Sequence, residues 1–293
     1  MPDLIDLDIP ELGYTKFISA WLYHGSEGAF LVDVGPACTV DTLFRALSDR
    51  GVNRLDWILL THIHMDHAGA IGHVAERFPE ARILCHAKAA PHLADPAKLW
   101  AGSLKTLGHV AEVYGEIRPV PEERIVTAGP VDFGGGIRVL ETPGHAAHHL
   151  CFVFNDCFFG GELLGVYQAL DKEGDFYLRP ATPPRFVADA FFSSMERAAP
   201  YMDRRLCFAH YGSHPDGREI LEMAGSQLNL WIDGIGEHLE NPDMDAIITD
   251  LAARDARFAR IHQLPPDMQE RERFFVKNSI RGILDYLEGG VRD

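Results

Sequence analysis

The 293-residue sequence has few cysteines, no run of basic residues and no long apolar stretch. Its five cysteines are odd in number and form no C-x-x-C pair, which is typical of reduced core residues. No segment reaches the roughly 20 apolar residues of a membrane-spanning helix. The acidic N-terminus, residues 1–11, lacks the basic start and apolar stretch of a secretory signal. We therefore expect a cytoplasmic protein that does not bind a membrane.

The charge balance argues against a nucleic-acid partner. The sequence has 27 basic and 43 acidic residues, which gives a formal charge of −16. Binding to a phosphate backbone needs a concentrated basic face, and no such cluster occurs here. The composition, 46% hydrophobic and 24% charged, is that of an ordinary globular protein. The length allows one large α/β domain, or one domain with an appendage.

Three histidines and an aspartate occur within six residues, in the stretch His62-Ile63-His64-Met65-Asp66-His67. Imidazole and carboxylate groups suit zinc, iron or manganese. If the preceding run Trp57–Thr61 is a buried strand, His62 and His64 project to the same side, and Asp66 and His67 begin a helix. Two pairs of ligands that leave one loop in different directions favour a two-metal site. The alternative is a pair of surface histidines beside an N-capping Asp66, which explains this density of ligands less well.

Further metal-binding side chains follow other strand-like segments. A Pro-Gly turn places His145 at a loop tip beside the edge of the predicted sheet. Glu162 directly follows a short apolar strand, and His210 follows another. Asp33 ends an early strand, where it either orients a neighbouring ligand or closes a turn. We interpret His148 and His149 as core or supporting residues, and the isolated histidines as structural or solvated: His73, His86, His92 and His109.

The order of apolar segments predicts a layered α/β domain. A hairpin is expected around Gly25–Gly28 and a helix over Thr39–Arg50. Helices between residues 88 and 114 should break near Asp95-Pro96 and Gly102. The triple glycine at residues 134–136 predicts a turn between strands, because the Lys-Ser/Thr of a phosphate-binding loop does not follow. Three helices are expected near the C-terminus, over residues 216–240, 244–259 and 266–288.

In type and order, these motifs resemble those of the metallo-β-lactamase superfamily. The resemblance covers roughly residues 17–214 and includes the H-x-H-x-D-H stretch, a later Pro-Gly-His, an acidic residue and a final histidine. It implies a four-layer αβ/βα sandwich of two mixed sheets faced by helices. The expected division is a catalytic domain at residues 1–215 and a C-terminal helical extension at residues 216–293. This extension should pack on the domain as a cap or mediate a homodimer.

The resemblance also implies a ligand set. His62, His64 and His145 would bind one metal ion. Asp66, His67 and His210 would bind a second. Glu162 falls where the family normally has a bridging aspartate, so either the loop shifts to accommodate the longer side chain or one metal position is weakened. Ligation by Glu162 is favoured here, with a single bound ion as the alternative. The expected cofactors are two divalent ions, with zinc preferred over iron or manganese.

Such a site would hydrolyse a small-molecule substrate. Two ions roughly 3.5–4 Å apart can lower the pKa of a water between them toward about 7 and present hydroxide to a carbonyl carbon or phosphorus. Asp66 could orient that water or carry a proton. The expected substrate is an ester, thioester or lactone, as in the glyoxalase II and lactonase branches. The alternatives are a small-substrate phosphodiesterase, a non-catalytic regulatory protein, or an iron persulfide dioxygenase that uses His64, His145 and Glu162.

Substrate selection is expected in the segment from Leu164 to Pro184, which has the length and aromatic content of a lid loop. Tyr167 could donate a hydrogen bond to an oxyanion, and Arg179 could pair with a carboxylate or phosphate. Tyr211, beside His210, is a third candidate. For each of these side chains, packing within the domain is the alternative interpretation.

Overall fold

The computed structural model describes residues 1–127, 129, 131–170 and 174–289. Contacts within the chain divide it into two units. Unit 1 comprises Met1–Glu141 and His148–Gly161, and unit 2 comprises Thr142–Ala147 and the chain from Glu162 onward. The boundary that the sequence predicts after residue 215 therefore falls inside unit 2.

A mixed sheet forms the first part of unit 1. Its described strands lie in the order of the sequence: β1 Asp3–Asp6, β2 Ser19–Gly25, β3 Gly28–Val32, β4 Trp57–Leu59, β5 Arg82–Leu84 and β6 Ile125–Val126. The first three strands pair antiparallel, and the predicted hairpin is confirmed by the pairing of Gly25 with Gly28. Strands β3 to β6 pair parallel, and the middle ones are buried apolar runs because both faces of the sheet are covered.

Six described helices accompany this sheet: α1 Val40–Asp49, α2 Met65–Ala68, α3 Ile71–Arg77, α4 Ala90–Ala94, α5 Ala97–Leu107 and α6 His109–Tyr114. The predicted helix after Thr39 and the predicted break near Asp95-Pro96 are confirmed. The predicted break at Gly102 is wrong, since Gly102 lies inside α5 and the chain breaks at Gly108 instead. A glycine costs a helix only about 1 kcal/mol relative to alanine, which the neighbouring residues of α5 offset.

Three more strands of unit 1 pair antiparallel: β7 Arg138–Glu141, β8 Leu150–Phe154 and β9 Cys157–Gly161. The predicted turn before β7 is confirmed, because the backbone N–H of Gly136 donates to the carbonyl oxygen of Phe133 over 2.8 Å. Aromatic rings fill the core of the unit. Phe30 of β3 lies 5.3 Å from Phe133 and 5.2 Å from Phe154, between ring centroids and edge to face.

Unit 2 contains four described strands and four described helices. They are β10 Val166–Ala169, β11 Phe176–Arg179, α7 Ala188–Ala198, β12 Arg205–Phe208, β13 Gly212–His214, α8 Gly217–Gly236, α9 Met244–Arg254 and α10 Pro266–Leu287. The three predicted C-terminal helices are confirmed, and the side chains of Asp216 and Asp243 cap the first turns of α8 and α9. Among the described residues, none of the helices is long and apolar enough to cross a membrane.

The segment from Leu164 to Pro184 corrects a second expectation. Its described residues form an antiparallel hairpin of β10 and β11 rather than a lid loop, while residues 171–173 lie outside the described part of the chain. Most of its aromatic and branched side chains are buried. Such residues favour strands because they pack well on a pleated surface, and here that preference decides the structure.

Candidate metal centre

The loop after β4 brings four potential ligands of unit 1 together. His62 and His67 are fully buried, and the ring centroid of His62 lies 4.6 Å from that of His64 and 4.2 Å from that of His67. The short helix α2 confirms that Asp66 and His67 begin a helix. Nε2 of His67 lies 3.5 Å from a carboxylate oxygen of Asp66. The loop therefore presents imidazole and carboxylate donors side by side, as the sequence predicts.

Asp33 fixes this loop from the end of β3. It is buried and has a backbone φ of 56°, which few residues other than glycine, asparagine and aspartate adopt. Its carboxylate accepts hydrogen bonds from the backbone N–H of Thr61 over 2.8 Å and from the Thr61 hydroxyl over 2.7 Å. One of its oxygens also lies 3.4 Å from Nδ1 of His67. Of the two interpretations of Asp33, these contacts support the orientation of neighbouring ligands.

The Thr61 hydroxyl connects Asp33 to His62 by hydrogen bonds. Because that hydroxyl donates its hydrogen to Asp33, its oxygen is left to accept from Nδ1 of His62, 3.1 Å away. We therefore assign the Nδ1–H tautomer to His62 from the hydrogen-bond network. In this tautomer the lone pair of Nε2 is the one that can bind a metal ion.

The start of β8 packs against the same loop. His149 is fully buried and its ring lies 5.4 Å from that of His62, while the ring of His148 lies 6.0 Å from that of His64. The backbone N–H of Leu150 donates to the carbonyl oxygen of Thr61 over 2.6 Å. Gly161 (φ 53°) allows this packing, because a Cβ there would overlap Nε2 of His149. The interpretation of His149 as a core residue is confirmed.

In unit 2, a buried carboxylate lies beside two imidazole rings. Nε2 of His145 is 2.8 Å from one oxygen of Glu162, and Nε2 of His210 is 3.7 Å from the other. All three side chains are buried. Nδ1 of His145 lies 2.9 Å from the carbonyl oxygen of Ala181, which can only accept a hydrogen bond. His145 therefore carries its proton on Nδ1.

The contact between His145 and Glu162 calls for a proton or a metal ion between the two side chains. With Nδ1 of His145 donating to a carbonyl, Nε2 would otherwise present a lone pair to a carboxylate oxygen 2.8 Å away. A hydrogen atom between the two atoms, or a metal ion bound to both groups, removes that repulsion. Candidate ligand groups of histidine, aspartate and glutamate are thus present among the described residues.

The three predicted substrate residues have protein partners. The Tyr167 ring is buried and stacks on Phe208 with centroids 4.7 Å apart, and burial raises the pKa of its hydroxyl. Arg179 is 3% exposed, and its Nε donates to a carboxylate oxygen of Glu272 over 2.6 Å. Tyr211 is half-buried, and its backbone N–H donates to the carbonyl oxygen of Tyr167. Substrate contact by these residues stays a prediction.

A cavity of about 590 Å³ lies within unit 1. It is lined by residues at the ends of β5 and β6, by residues in and just before β7, and by Leu150. The backbone N–H of Leu150 donates to Thr61, at the start of the loop after β4. His86 is part of its wall, and burial lowers the pKa of the His86 imidazole. Nε2 of His86 is 3.9 Å from Glu141, and Nδ1 accepts from the backbone N–H of Lys88. His86 is therefore a cavity residue, which the sequence did not indicate.

The fold and these side chains define an α/β protein that carries candidate metal ligands at strand ends. Residues 13–207 match the family model of the metallo-beta-lactamase superfamily. The chain belongs to this superfamily, and its α/β fold with mixed sheets and helices agrees with the resemblance seen in the sequence.

Similar proteins extend over most of the chain. A metallo-beta-lactamase fold-containing protein of Sulfurisphaera tokodaii, ST1585, is 26% identical over 76% of this chain and 85% of its own length. The crystal structure of ST1585 superposes with a TM-score of 0.69 at 22% identity, covering 92% of this chain and 93% of that one. The metallo-beta-lactamase family protein TTHA1429 of Thermus thermophilus gives a TM-score of 0.66 at 21% identity, covering 99% and 93%.

A hydroxyacylglutathione hydrolase of Stenotrophomonas maltophilia is 30% identical over 65% of this chain. The match covers 59% of that enzyme, so less than two thirds of its length has a counterpart here. The similarity places a hydroxyacylglutathione hydrolase among the relatives of this chain.

Proposed function

We propose that this protein is a metal-dependent hydrolase that cleaves small thioesters, with esters and lactones as related substrates. The observation that carries the proposal is the position of Glu162, whose carboxylate lies beside Nε2 of His145 and Nε2 of His210. Membership of a superfamily of mostly metal-dependent hydrolases supports the reaction class. The similarity to a hydroxyacylglutathione hydrolase supports the choice of thioesters among carbonyl substrates.

The residue types fit one or two divalent ions. Neutral imidazole and carboxylate oxygen are ligands that zinc, iron and manganese share. We propose that two sets of side chains each hold an ion, and that Glu162 can contribute to both: His62, His64, His145 and Glu162 in one, and Asp66, His67 and His210 in the other. The hydrogen bonds from Thr61 to Asp33 and from His145 to Ala181 keep the ligand nitrogens in the required tautomer.

The protein groups then have separable roles. Bound divalent ions would lower the pKa of water and polarise a substrate carbonyl. Asp66 is partly exposed, so its carboxylate can orient the attacking water and accept its proton. The cavity of about 590 Å³ in unit 1 has the volume of a small-molecule site.

A one-ion iron site is the second candidate. The observation that favours it is the asymmetry at Glu162, which lies 2.8 Å from His145 but 3.7 Å from His210. A set of two histidines and one carboxylate is typical of non-haem iron oxygenases. Oxygen uptake on a glutathione persulfide by an iron-loaded protein would favour this reaction over hydrolysis.

The test combines metal content with a substrate screen. The purified protein is analysed for metal by mass spectrometry and assayed with thioesters, lactones and phosphodiesters. We expect His62→Ala to lose metal and thioesterase activity together, because His62 is buried among the other ligands of its loop. His109→Ala is the matched control, since His109 is exposed and pairs only with the nearby Glu112 within the described contacts. Unchanged metal content in His62→Ala would contradict the ligand assignment.

A further inference from the structure

The β10–β11 hairpin and the segment that follows it contact two of the proposed ligands through their backbone. The N–H of Tyr167 donates to the carbonyl oxygen of His210 over 2.7 Å, and the N–H of Tyr211 donates back to Tyr167 over 2.9 Å. These two bonds bracket His210 from both sides. Strand β10 therefore sets the backbone position from which the His210 ring projects.

The other strand of the hairpin leads to His145. After β11 the chain continues through residues 180–183, which we call the strap. Ala181 lies in the strap, and its carbonyl oxygen accepts from Nδ1 of His145 over 2.9 Å. A shift of the strap would change the orientation or the tautomer of His145, because a carbonyl partner selects the Nδ1–H form.

Helix α10 holds the strap by three separate contacts. The Thr182 hydroxyl donates to the carbonyl oxygen of Ser279 over 3.0 Å. The Ser279 hydroxyl contacts the carbonyl oxygen of Pro180 at 3.4 Å. Gly282 allows α10 to approach closely, since a Cβ at this position would overlap the carbonyl oxygens of Thr182 and Pro183. The strap and one face of α10 are therefore packed backbone against backbone.

A buried ion pair connects α10 to the start of the strap. Glu272 is 0% exposed and accepts from Nε of Arg179 over 2.6 Å, while Nη1 of Arg179 donates to the carbonyl oxygen of Pro180 over 3.2 Å. Burial by itself would raise the pKa of Glu272, but Arg179 and Arg271 lower it, so the carboxylate is charged. The guanidinium thus joins α10 to a carbonyl one residue before Ala181.

We propose that Glu272 and Arg179 are positioning residues for the metal centre, which hold the strap so that Ala181 keeps His145 in the Nδ1–H tautomer. The inference rests on the proposed function in treating His145 as a metal ligand. It assigns to α10, which supplies no ligand, control over the metal affinity of the site. It also explains why an arginine expected to bind substrate is buried against a carboxylate of the C-terminal helix.

Two variants loosen the strap in different ways. Thr182→Val removes one hydrogen bond with little change of volume. Arg179→Met removes the ion pair with Glu272 and the hydrogen bond to Pro180, while Glu272 keeps Arg271 as a partner at 3.2 Å, which avoids an unpaired buried charge. Leu251→Ala is the control, because Leu251 is fully buried in α9 of the same unit and its truncation destabilises without changing a strap contact.

The first measurement uses metal-free protein. Nitrogen-15 chemical shifts report the tautomer of His145 at a pH well above the usual imidazole pKa of about 6.5. We expect Nδ1 of His145 to keep its proton in the wild type and in Leu251→Ala, and to lose it in part of the population of both strap variants. The second measurement is the zinc dissociation constant by competition with a chromophoric chelator. It should rise about tenfold in the strap variants and stay unchanged in Leu251→Ala.

The two measurements separate this inference from the proposed function. A wild-type tautomer in both strap variants would overturn the positioning role, whatever the metal affinity. Equal losses of zinc affinity in Leu251→Ala and the strap variants would also overturn it, because general destabilisation would then explain the effect. If the wild type binds neither zinc, iron nor manganese, the proposed function fails, and the tautomer in metal-free protein still decides whether α10 orients His145.

Discussion

Replacing Asp33 by asparagine exchanges one buried carboxylate oxygen for an NH2 group. The exchange should reverse the direction of donation in a short chain of hydrogen bonds. In the wild type, the Thr61 hydroxyl donates to Asp33 over 2.7 Å and its oxygen faces Nδ1 of His62 at 3.1 Å. The other carboxylate oxygen accepts from the backbone N–H of Thr61 over 2.8 Å. The backbone donor must keep an oxygen partner, so the new amide nitrogen would occupy the position beside the hydroxyl.

The amide nitrogen then changes the tautomer of His62. It can only donate, so the Thr61 oxygen must accept from it and the hydroxyl hydrogen turns toward Nδ1 of His62. His62 responds by moving its proton to Nε2, which blocks the lone pair assigned to the metal. The same nitrogen lies where a carboxylate oxygen is now 3.4 Å from Nδ1 of His67, so a second ligand is affected in the same way.

The expected magnitudes follow from these bonds. Hydrogen bonds to a charged group contribute about 1.5–3 kcal/mol and neutral ones about 0.5–1.5 kcal/mol, so making two of them neutral should cost roughly 2–3 kcal/mol of stability. Loss of the supporting Asp33 carboxylate, and with it the required tautomer of His62, should weaken metal binding about 10- to 100-fold. The loss of metal affinity is therefore expected to exceed what the change in stability alone would cause.

Urea unfolding and zinc competition measure the two effects. Asp49→Asn provides the control, since it makes the same chemical change at an exposed position on α1. Thr61→Val interrupts the chain of hydrogen bonds, so Asp33→Asn should affect the His62 tautomer much less in that background. Wild-type zinc affinity in Asp33→Asn, or additive effects of the two substitutions on the His62 tautomer, would refute the reasoning.

Two further predictions concern packing and pH. Gly161→Ala should destabilise more than Gly51→Ala, because both glycines have positive φ but only at Gly161 would a Cβ overlap a neighbour, His149; equal shifts in thermal unfolding would contradict this. The hydrogen bond from Arg260 lowers the pKa of Asp175 below its unfolded value of about 3.9. The contribution of Asp175 to the free energy of unfolding is therefore complete above that value and is lost as the pH falls through the folded pKa. The stability difference between wild type and Asp175→Asn should be constant near neutral pH and shrink below about pH 4, and a difference independent of pH would argue against it.

The unit 1 loop was predictable because its information is local. His62, His64, Asp66 and His67 lie within six residues directly after a buried strand. The four candidate donors can therefore be recognised without knowing any distant contact. The C-terminal helices were predictable for a similar reason, since apolar spacing and the caps at Asp216 and Asp243 lie within each segment. Short-range patterns were therefore enough to predict the candidate ligands of this loop and the C-terminal helices.

The buried pair of Arg179 and Glu272 could not be predicted in the same way. The two residues are far apart in sequence, and the pattern of neither segment indicates which residue its charged side chain pairs with. One signal was present, because Glu272 lies midway between Met268 and Val276 on the buried face of α10, where a charge needs a partner. The identity of that partner depends on how the β10–β11 hairpin packs on α10, which only the folded structure reveals.

The shared hairpin has a consequence for how this protein could vary. Because β10 and the strap fix His210 and His145 from one continuous piece of chain, their positions are correlated rather than independent. Substitutions in α10 could shift both candidate ligands together and so adjust the proposed metal affinity, while every candidate ligand stays the same. Selection would then have a route to tune the site through a helix that supplies no candidate ligand, and comparisons of the candidate ligands alone would overlook it.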